Sequence, residues 1–197
     1  MTCELRHGAS HIKLFEDEFM ISEIFKNVLE KEGFGVEISD TLDSFLDAEK
    51  LKSLHLIIPI WTMGLPPRGD GVEYVVNVKS GSSPILEGIE DFMIKSEQYY
   101  VQHIDPAIEV LAATRFPVIN WYHSSNGQLD VPVIWTKKWG LGRVFYSSLG
   151  HHADVVENGP AFETIRRGFL WAAEGKDLVM KQGVDTSKFE DKVHKMF

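Results

Sequence analysis

Apolar and polar positions follow two different patterns along this chain, and the change comes after about the first third. Between residues 18 and 31, six apolar side chains recur at helical spacing, and Gly33 supplies the expected stop. Residues 35–39 and 54–61 have the apolar character of buried strands, and residues 43–53 predict a second helix between them. This β-α-β alternation predicts a parallel sheet covered by helices, with right-handed crossovers.

The rest of the chain is richer in strand signals and contains one further helix. Turn-forming residues fill positions 62–71, so the alternating pattern stops there. Pro160 begins a helical stripe that continues to Gly175, and the residues that follow are polar. We therefore expect one α/β domain over residues 1–175 and a polar C-terminal tail over residues 176–197. Strands in this part are predicted at residues 72–78, 109–114, 118–122, 132–136 and 143–149, with a hairpin turn at residues 124–127.

Composition narrows the classes of function. The chain has 197 residues, with 29 Asp and Glu against 20 Lys and Arg, and a net charge of -9. That charge gives no general attraction to phosphate backbones or anionic lipids, so neither nucleic acid nor a membrane is expected as a partner. The single cysteine, Cys3, cannot form an internal disulfide, and the most apolar stretch, residues 54–61, is too short to span a bilayer. The N-terminus also lacks an apolar signal core, which predicts a cytoplasmic protein.

The segment from Val131 to His152 gives the strongest functional signal. It predicts one strand, a tight turn at residues 140–142, and a second strand that ends at Gly150 and two histidines. Titratable groups that follow a strand and precede a helix lie where open α/β folds bind ligands. His151 suits a general acid or base, whereas the alternative is a loop histidine that only caps the next helix.

This segment resembles the ThuA-like family associated with trehalose utilisation. The resemblance implies a fold similar to class I glutamine amidotransferases, which is a flavodoxin-like three-layer α/β fold with a mostly parallel sheet. It also implies a role in sugar utilisation, with a small-molecule sugar or keto-sugar as partner and a reaction that is not well defined. The stretches that carry the resemblance are residues 56–64, 83–89, 96–100, 132–151 and 166–173.

The sequence departs from the family pattern in its central part. Gly64 is joined to Gly71 by six residues, where the family has a crossover helix and a further strand. A parallel crossover needs about a dozen residues or more, so we expect a sheet shortened by one central β/α unit, with a strand-rich second half. A natural shortened paralogue and a gene model that skipped an exon both explain the gap. In both cases the missing strand would leave strand edges uncovered, and such edges are prone to associate, so a homo-oligomer is one expectation.

Three residues are candidates for catalysis. His151 would act as the acid or base, and Glu97 could orient its imidazole or share a metal with it. Tyr99, two residues after Glu97, would contribute its hydroxyl. The alternative for Glu97 is a solvated carboxylate on an exposed turn.

Aromatic and histidine side chains are candidates for substrate binding, because aromatic faces stack on sugar rings and polar tips bind hydroxyl groups. They could equally anchor a loop on the sheet. For Trp135 and Trp139 we favour packing, while Lys137, Lys138 and Arg143 either attract an anionic substrate or keep a hairpin soluble. The candidates for substrate binding are Trp61, Tyr100, His103 and His152.

No cofactor is required by the sequence. A divalent metal held by His103, His151, His152 and Glu97 is an alternative, although their spacing matches no recognisable ligand signature. No Ser or Cys lies in a Gly-x-nucleophile-x-Gly elbow, so no covalent nucleophile is evident. We therefore expect hydrolase-type or isomerase-type acid/base chemistry on a sugar, or else a non-catalytic binding protein or truncated product without a complete active site.

Overall fold

The computed structural model describes residues 11–15, 19–60, 71–81, 83–99, 106–120, 122–150, 152–185 and 187. Their strands form two sheets, one parallel and one antiparallel. The smaller sheet has the order β2-β1-β3 and comprises β1 (His11–Phe15), β2 (Gly35–Ser39) and β3 (Leu56–Pro59).

Helical crossovers explain why the smaller sheet is parallel. Helix α1 (Phe19–Lys31) joins β1 to β2, and helix α2 (Ala48–Ser53) joins β2 to β3. A helix between two strands lets the second strand run in the same direction as the first. Gly33, with a φ of 91°, ends α1 as predicted, because a left-handed backbone conformation costs glycine little. The predicted α1 and β2 are both confirmed.

The larger sheet is antiparallel throughout. Its described strands lie in the order β5-β4-β6-β7-β8, and each is antiparallel to its neighbour. The turn between β7 and β8 contains Gly140, with a φ of 59°. These strands are β4 (Val72–Val78), β5 (Phe92–Ser96), β6 (Glu109–Phe116), β7 (Leu129–Trp139) and β8 (Gly142–Ser147).

The expected mostly parallel, flavodoxin-like sheet is therefore wrong. Only three described strands are parallel, and the larger sheet is antiparallel. The physical reason lies in the connections, whose described parts contain turns and short 3₁₀ segments, at Pro84–Leu86 and Tyr122–Asn126, instead of crossover helices. These two connections, and the tight turn from β7 to β8, each return the chain beside the strand it has just left, in the opposite direction, whereas β6 lies on the other side of β4 from β5. The strand-rich second half was predicted correctly, but residues 118–120 are not a strand.

One long helix contacts both sheets. After the short helix α3 (Ala153–Val156), helix α4 (Gly159–Gln182) packs against β8 and also reaches β3. The Phe169 ring lies edge-to-face with Phe25 of α1, at 5.0 Å between centroids, and with Phe145 of β8, at 6.2 Å. The two sheets thus share α4 as a common support.

Helix α4 continues beyond Gly175, where the apolar stripe predicted its end. Gly175 is buried against β8, and a Cβ added there would lie 3.2 Å from Cγ of Arg143. The missing side chain makes room for Arg143, whose Nη1 donates a hydrogen bond to the Trp171 carbonyl at 2.7 Å. This glycine therefore permits a close approach, and the helix ends instead at Gly183, with a φ of 59°. In the described part of the chain, no helix is both long and apolar enough to cross a membrane.

Candidate functional site

Three strands of the antiparallel sheet finish at the same end. Because β4 and β7 run opposite to their neighbours, β5, β6 and β8 all point in one direction. We call the end at which these three strands finish the site end. It brings together the residues that follow β5, β6 and β8, including Glu97 after β5 and Gly150 after β8.

Gln98 fixes the chain across the site end. Its Nε2 donates hydrogen bonds to Thr114 Oγ1 at 3.2 Å and to the Arg115 carbonyl at 2.9 Å. Its Oε1 accepts a hydrogen bond from the Val118 backbone N–H at 3.1 Å. Since β4 lies between β5 and β6, these bonds place residues 97–99 across the end of the sheet.

Glu97 is buried, with 2% of its surface exposed. The Tyr74 hydroxyl donates a hydrogen bond to the Glu97 carbonyl at 2.9 Å, and the Tyr99 phenol is hydrogen-bonded to the Glu97 side chain. Burial first, and then this hydrogen bond, raise the pKa of Tyr99 above the ordinary value of a phenol. The alternative expectation for Glu97, a solvated carboxylate on an exposed turn, is therefore wrong.

Two further tyrosines have phenols that stay protonated. Burial is the main cause that raises the pKa of Tyr74, while the nearby Ser96 side chain opposes this effect and the charge of Glu97 adds to it. Burial also raises the pKa of Tyr146. At neutral pH the phenols of Tyr74, Tyr99 and Tyr146 are all hydrogen-bond donors.

The sheet curls so that its two edge strands approach each other. In a flat sheet of five strands, four spacings of about 4.8 Å would separate β5 from β8 by about 19 Å. Helix α3, which follows β8, nevertheless contacts β5, and Tyr146 of β8 lies close enough to Tyr99 to contribute to its raised pKa. The Trp135 ring stacks on Tyr146, at 4.8 Å between centroids and 12° between planes. Packing of Trp135 is thus confirmed, whereas the same expectation for Trp139 is wrong, because Trp139 is 77% exposed.

The loop after β8 lies beside β5. Gly150 has a φ of 140°, and a Cβ there would lie 3.2 Å from Cγ2 of Val156. His152 is exposed, and its carbonyl accepts hydrogen bonds from the backbone N–H groups of Val155 and Val156, both at 3.1 Å. Because α3 contacts β5, the residues that flank position 151 are held at the site end.

Four sequence-predicted site residues, Trp61, Tyr100, His103 and His151, lie outside the described residues, so their roles stay predictions. Of the others, the structure brings Glu97 and Tyr99 together and leaves His152 exposed at the start of α3. Among the residues that the structure describes, no three His, Cys, Asp or Glu side chains form a group that could hold a metal ion.

Sequence reasoning missed Tyr74, Gln98 and Tyr146. Tyr74 and Tyr146 lie within strands that were predicted, and the alternation of β4 indicates that Tyr74 points inwards. Their convergence depends on the curl of the sheet, which periodicity does not reveal. Gln98 gave no signal, because a single polar residue after a strand is usual.

Comparison with known proteins places the chain in a family. The family model ThuA, described as trehalose utilisation, matches residues 66–172, which is more than half of the chain. The matched range includes all five strands of the antiparallel sheet and both Glu97 and Tyr99. Neither a curated protein nor a solved structure matches the chain. On the evidence of the family model, this protein belongs to the ThuA, trehalose utilisation, family.

Proposed function

We propose that the protein binds a sugar or keto-sugar at the site end and moves protons on it. Membership of a trehalose utilisation family supports a sugar as the ligand. The proposed acid or base is His151, with Glu97 as its partner and the Tyr99 phenol as a donor. The residues proposed to contact the sugar are Trp61, Tyr100, His103 and His152.

The observation that carries the proposal is the buried carboxylate of Glu97, hydrogen-bonded to Tyr99. Burial of a carboxylate is unfavourable unless hydrogen bonds compensate it, and a hydrophobic residue of similar size would stabilise the fold at least as well. Buried titratable groups with specific partners therefore concentrate in functional sites.

The chemistry follows from what each group holds at neutral pH. The phenol of Tyr99 keeps its proton, and when a sugar binds it can turn this one O–H from Glu97 to a sugar carbonyl or hydroxyl oxygen. Histidine is the side chain best suited to take up and return a proton, which is the role proposed for His151. Glu97 would orient that imidazole, and both hydrolysis and proton transfer next to a carbonyl are compatible with this set.

Aromatic surface next to the phenols supports the choice of ligand. Trp135 and Tyr146 stack on each other at 4.8 Å, and Tyr146 lies close enough to Tyr99 to affect its pKa. Sugar rings present apolar C–H faces that pack on aromatic rings and hydroxyl groups that need polar partners. The site end offers both.

The test is calorimetric titration with a panel of disaccharides and their keto forms, using the wild type, Tyr99→Phe and Glu97→Gln. We expect at least one sugar to bind, and each variant to weaken it by about tenfold or more, because one charge-assisted hydrogen bond is lost. Glu73→Gln, exposed on β4, is the matched control and should bind as the wild type does. Failure of every sugar to bind the wild type, or equal binding by Tyr99→Phe, would contradict the proposal.

A non-catalytic binding function is the second candidate. It is favoured by the gap between β3, which ends at Pro59, and β4, which starts at Val72 in the other sheet. Twelve residues are too few for a crossover helix and the further strand that the family has. His151→Ala separates the candidates: loss of turnover with ligand binding retained indicates an enzyme, whereas the absence of any turnover in the wild type indicates a binding protein.

A further inference from the structure

An exposed basic and aromatic surface lies at the turn between β7 and β8. We call Lys137, Lys138, Trp139 and Leu141 the hairpin tip. Trp139 is 77% exposed and Leu141 is also exposed, while Lys137 Nζ lies 5.3 Å from the centroid of the Trp139 ring. Apolar side chains of this size are in contact with water here. Their burial in an interface would be favourable by about 25 cal/mol per Å² of apolar surface.

A second exposed apolar surface has the opposite charge. We call residues 43–49, which cover most of a 3₁₀ segment and the start of α2, the acidic loop. Leu46 is 83% exposed, and Phe45 beside it is exposed as well. Asp43 lies three residues before Leu46 in the 3₁₀ segment Leu42–Leu46, so the two share one face. Asp47 and Glu49 add two more carboxylates, of which that of Glu49 also pairs with Lys52 at 3.1 Å on the surface.

We propose that the hairpin tip of one molecule binds the acidic loop of a second copy. Each surface has an apolar centre with charges around it, and the charges are lysines on one and carboxylates on the other. With a net charge of -9, two copies repel each other overall, so their association requires a local match of this kind. This proposal goes beyond the sugar site and does not depend on it.

The hairpin tip and the helix that follows the acidic loop are both tied to the same part of helix α4. Arg143, which follows the hairpin tip, packs against Gly175 and donates a hydrogen bond to the Trp171 carbonyl. Lys176 Nζ donates to the carbonyls of Lys52, at 2.7 Å, and Leu54, at 3.0 Å, at the end of α2. A two-fold axis near this part of α4 can therefore place each hairpin tip on the partner's acidic loop, which gives a closed dimer with two equivalent contacts.

An anionic membrane is a weaker candidate for the hairpin tip. A tryptophan beside two lysines suits a lipid surface, because lysines are attracted to anionic headgroups. The acidic loop lies near the same part of α4, however, and its carboxylates would be repelled by anionic lipids.

The first experiment measures the dimer dissociation constant by sedimentation. The wild-type chain is compared with a tip variant, Lys137→Glu with Lys138→Glu, and a loop variant, Asp43→Lys with Glu49→Lys. We expect each variant to raise the dissociation constant by about tenfold or more, because contacts between opposite charges become contacts between like charges. Asp47 is kept, because its side chain caps α2 by accepting a hydrogen bond from the Lys50 N–H.

The second experiment mixes the two variants. In a mixed dimer, the glutamates of the tip variant face the lysines of the loop variant, and the wild-type tip faces a wild-type loop. We therefore expect a heterodimer with an affinity near that of the wild type, although neither variant dimerises alone. Mixtures that stay monomeric would overturn the proposal, because reciprocal contacts require this rescue.

Matched controls distinguish this interface from non-specific association through exposed apolar side chains. Met93, which is 57% exposed and pairs with Val75 on the outer face of the same sheet, provides a second apolar surface. Trp139→Ser should weaken the dimer and Met93→Ser should not, with circular dichroism confirming that both variants fold. A wild-type monomer at all concentrations, an equal effect of Met93→Ser, or binding of a monomer to phosphatidylserine vesicles through Trp139 would each overturn the proposal.

Discussion

The parallel and antiparallel sheets of this protein share one helix, yet their sequences specify them in different ways. In the parallel sheet, a helix lies between each pair of successive strands, so the connections determine that the strands run in one direction. In the antiparallel sheet, the local pattern gives the strands, but their curl and the meeting of Tyr99 with Tyr146 come from tertiary packing. Directions of strands can thus be predicted from connections, whereas a site made by curvature cannot.

The comparison also separates structural from functional positions. Helix α4 supports both sheets through its residues Gly168, Phe169 and Lys176 and through its contact with Arg143 of β8. These contacts stabilise the fold. Among the described residues, the buried Glu97 carboxylate and the phenols of Tyr74, Tyr99 and Tyr146 lie in the antiparallel sheet or directly after β5. Phe169→Ala and Gly168→Ala alter the helix that both sheets share, whereas Arg143→Met and Lys176→Met each alter the contact of that helix with one sheet.

The largest loss of stability is expected from Phe169→Ala. The ring contacts both Phe25 and Phe145, and truncation of a buried phenylalanine costs about 3–5 kcal/mol of the free energy of unfolding. Hydrogen exchange should show lower protection in β2 and in β7 together. Loss of protection in only one sheet would contradict a shared support, and Met93→Ala, on the exposed face of β5, is the control.

Gly168→Ala should destabilise the chain by a smaller amount. A Cβ at this position overlaps the Phe145 ring, and overpacking costs about 1–3 kcal/mol, partly offset by about 1 kcal/mol of gained helix propensity. Gly175→Ala is the matched control, because the Cβ there meets the flexible stem of Arg143 at 3.2 Å and the net change should stay within about 1 kcal/mol. Thermal unfolding of both variants measures the difference, and an equal effect would show that Phe145 does not define this contact.

Arg143→Met and Lys176→Met should each destabilise one of the two sheets. Arg143 bonds the Trp171 carbonyl and stacks on the Trp171 ring at 4.9 Å, so its loss costs about 2 kcal/mol and exposes β8. Lys176 bonds carbonyls at the end of α2, so its loss costs about 1 kcal/mol and exposes β3. Hydrogen exchange resolves the two regions, and the same pattern in both variants would mean that the sheets unfold as one unit.

The smallest effect concerns acid stability. Hydrogen bonds from Arg166, and then from Arg167, lower the pKa of Glu163 to about 2. A carboxyl with a lowered pKa stabilises the fold above its unfolded pKa, and this contribution is lost as the pH falls through the folded value. Between about pH 5 and pH 2 the melting temperature of the wild type should therefore fall more steeply than that of Glu163→Gln. Because the group is partly exposed, salt should reduce the difference.

The sequence predicted the elements better than their arrangement. The bounds of β2 and β4 agree with the pattern, because each is a short alternating run between turn residues. Strand β5 was missed although it is as long as β2, and its formation depends on β4 as its neighbour. The parallel sheet was inferred from the β-α-β alternation, and the flavodoxin-like fold from the resemblance, which did indicate the correct family.

The candidate site was predicted in part. Glu97 and Tyr99 were named from the resemblance, and the structure brings them together in a buried pair. The pairing of His151 with Glu97 stays a prediction, since position 151 lies outside the described residues. No pattern in the sequence indicates that Tyr146, 47 residues after Tyr99, lies beside it.

Hydrogen exchange with and without the best-binding sugar tests the position of the site most directly. If the antiparallel sheet carries the site, the sugar should protect residues 95–99 and residues 146–152. A parallel α/β sheet would instead bind its ligand beyond the carboxyl ends of its strands. Protection confined to residues 39–41 and residue 60, with none after β5 and β8, would contradict the proposed site.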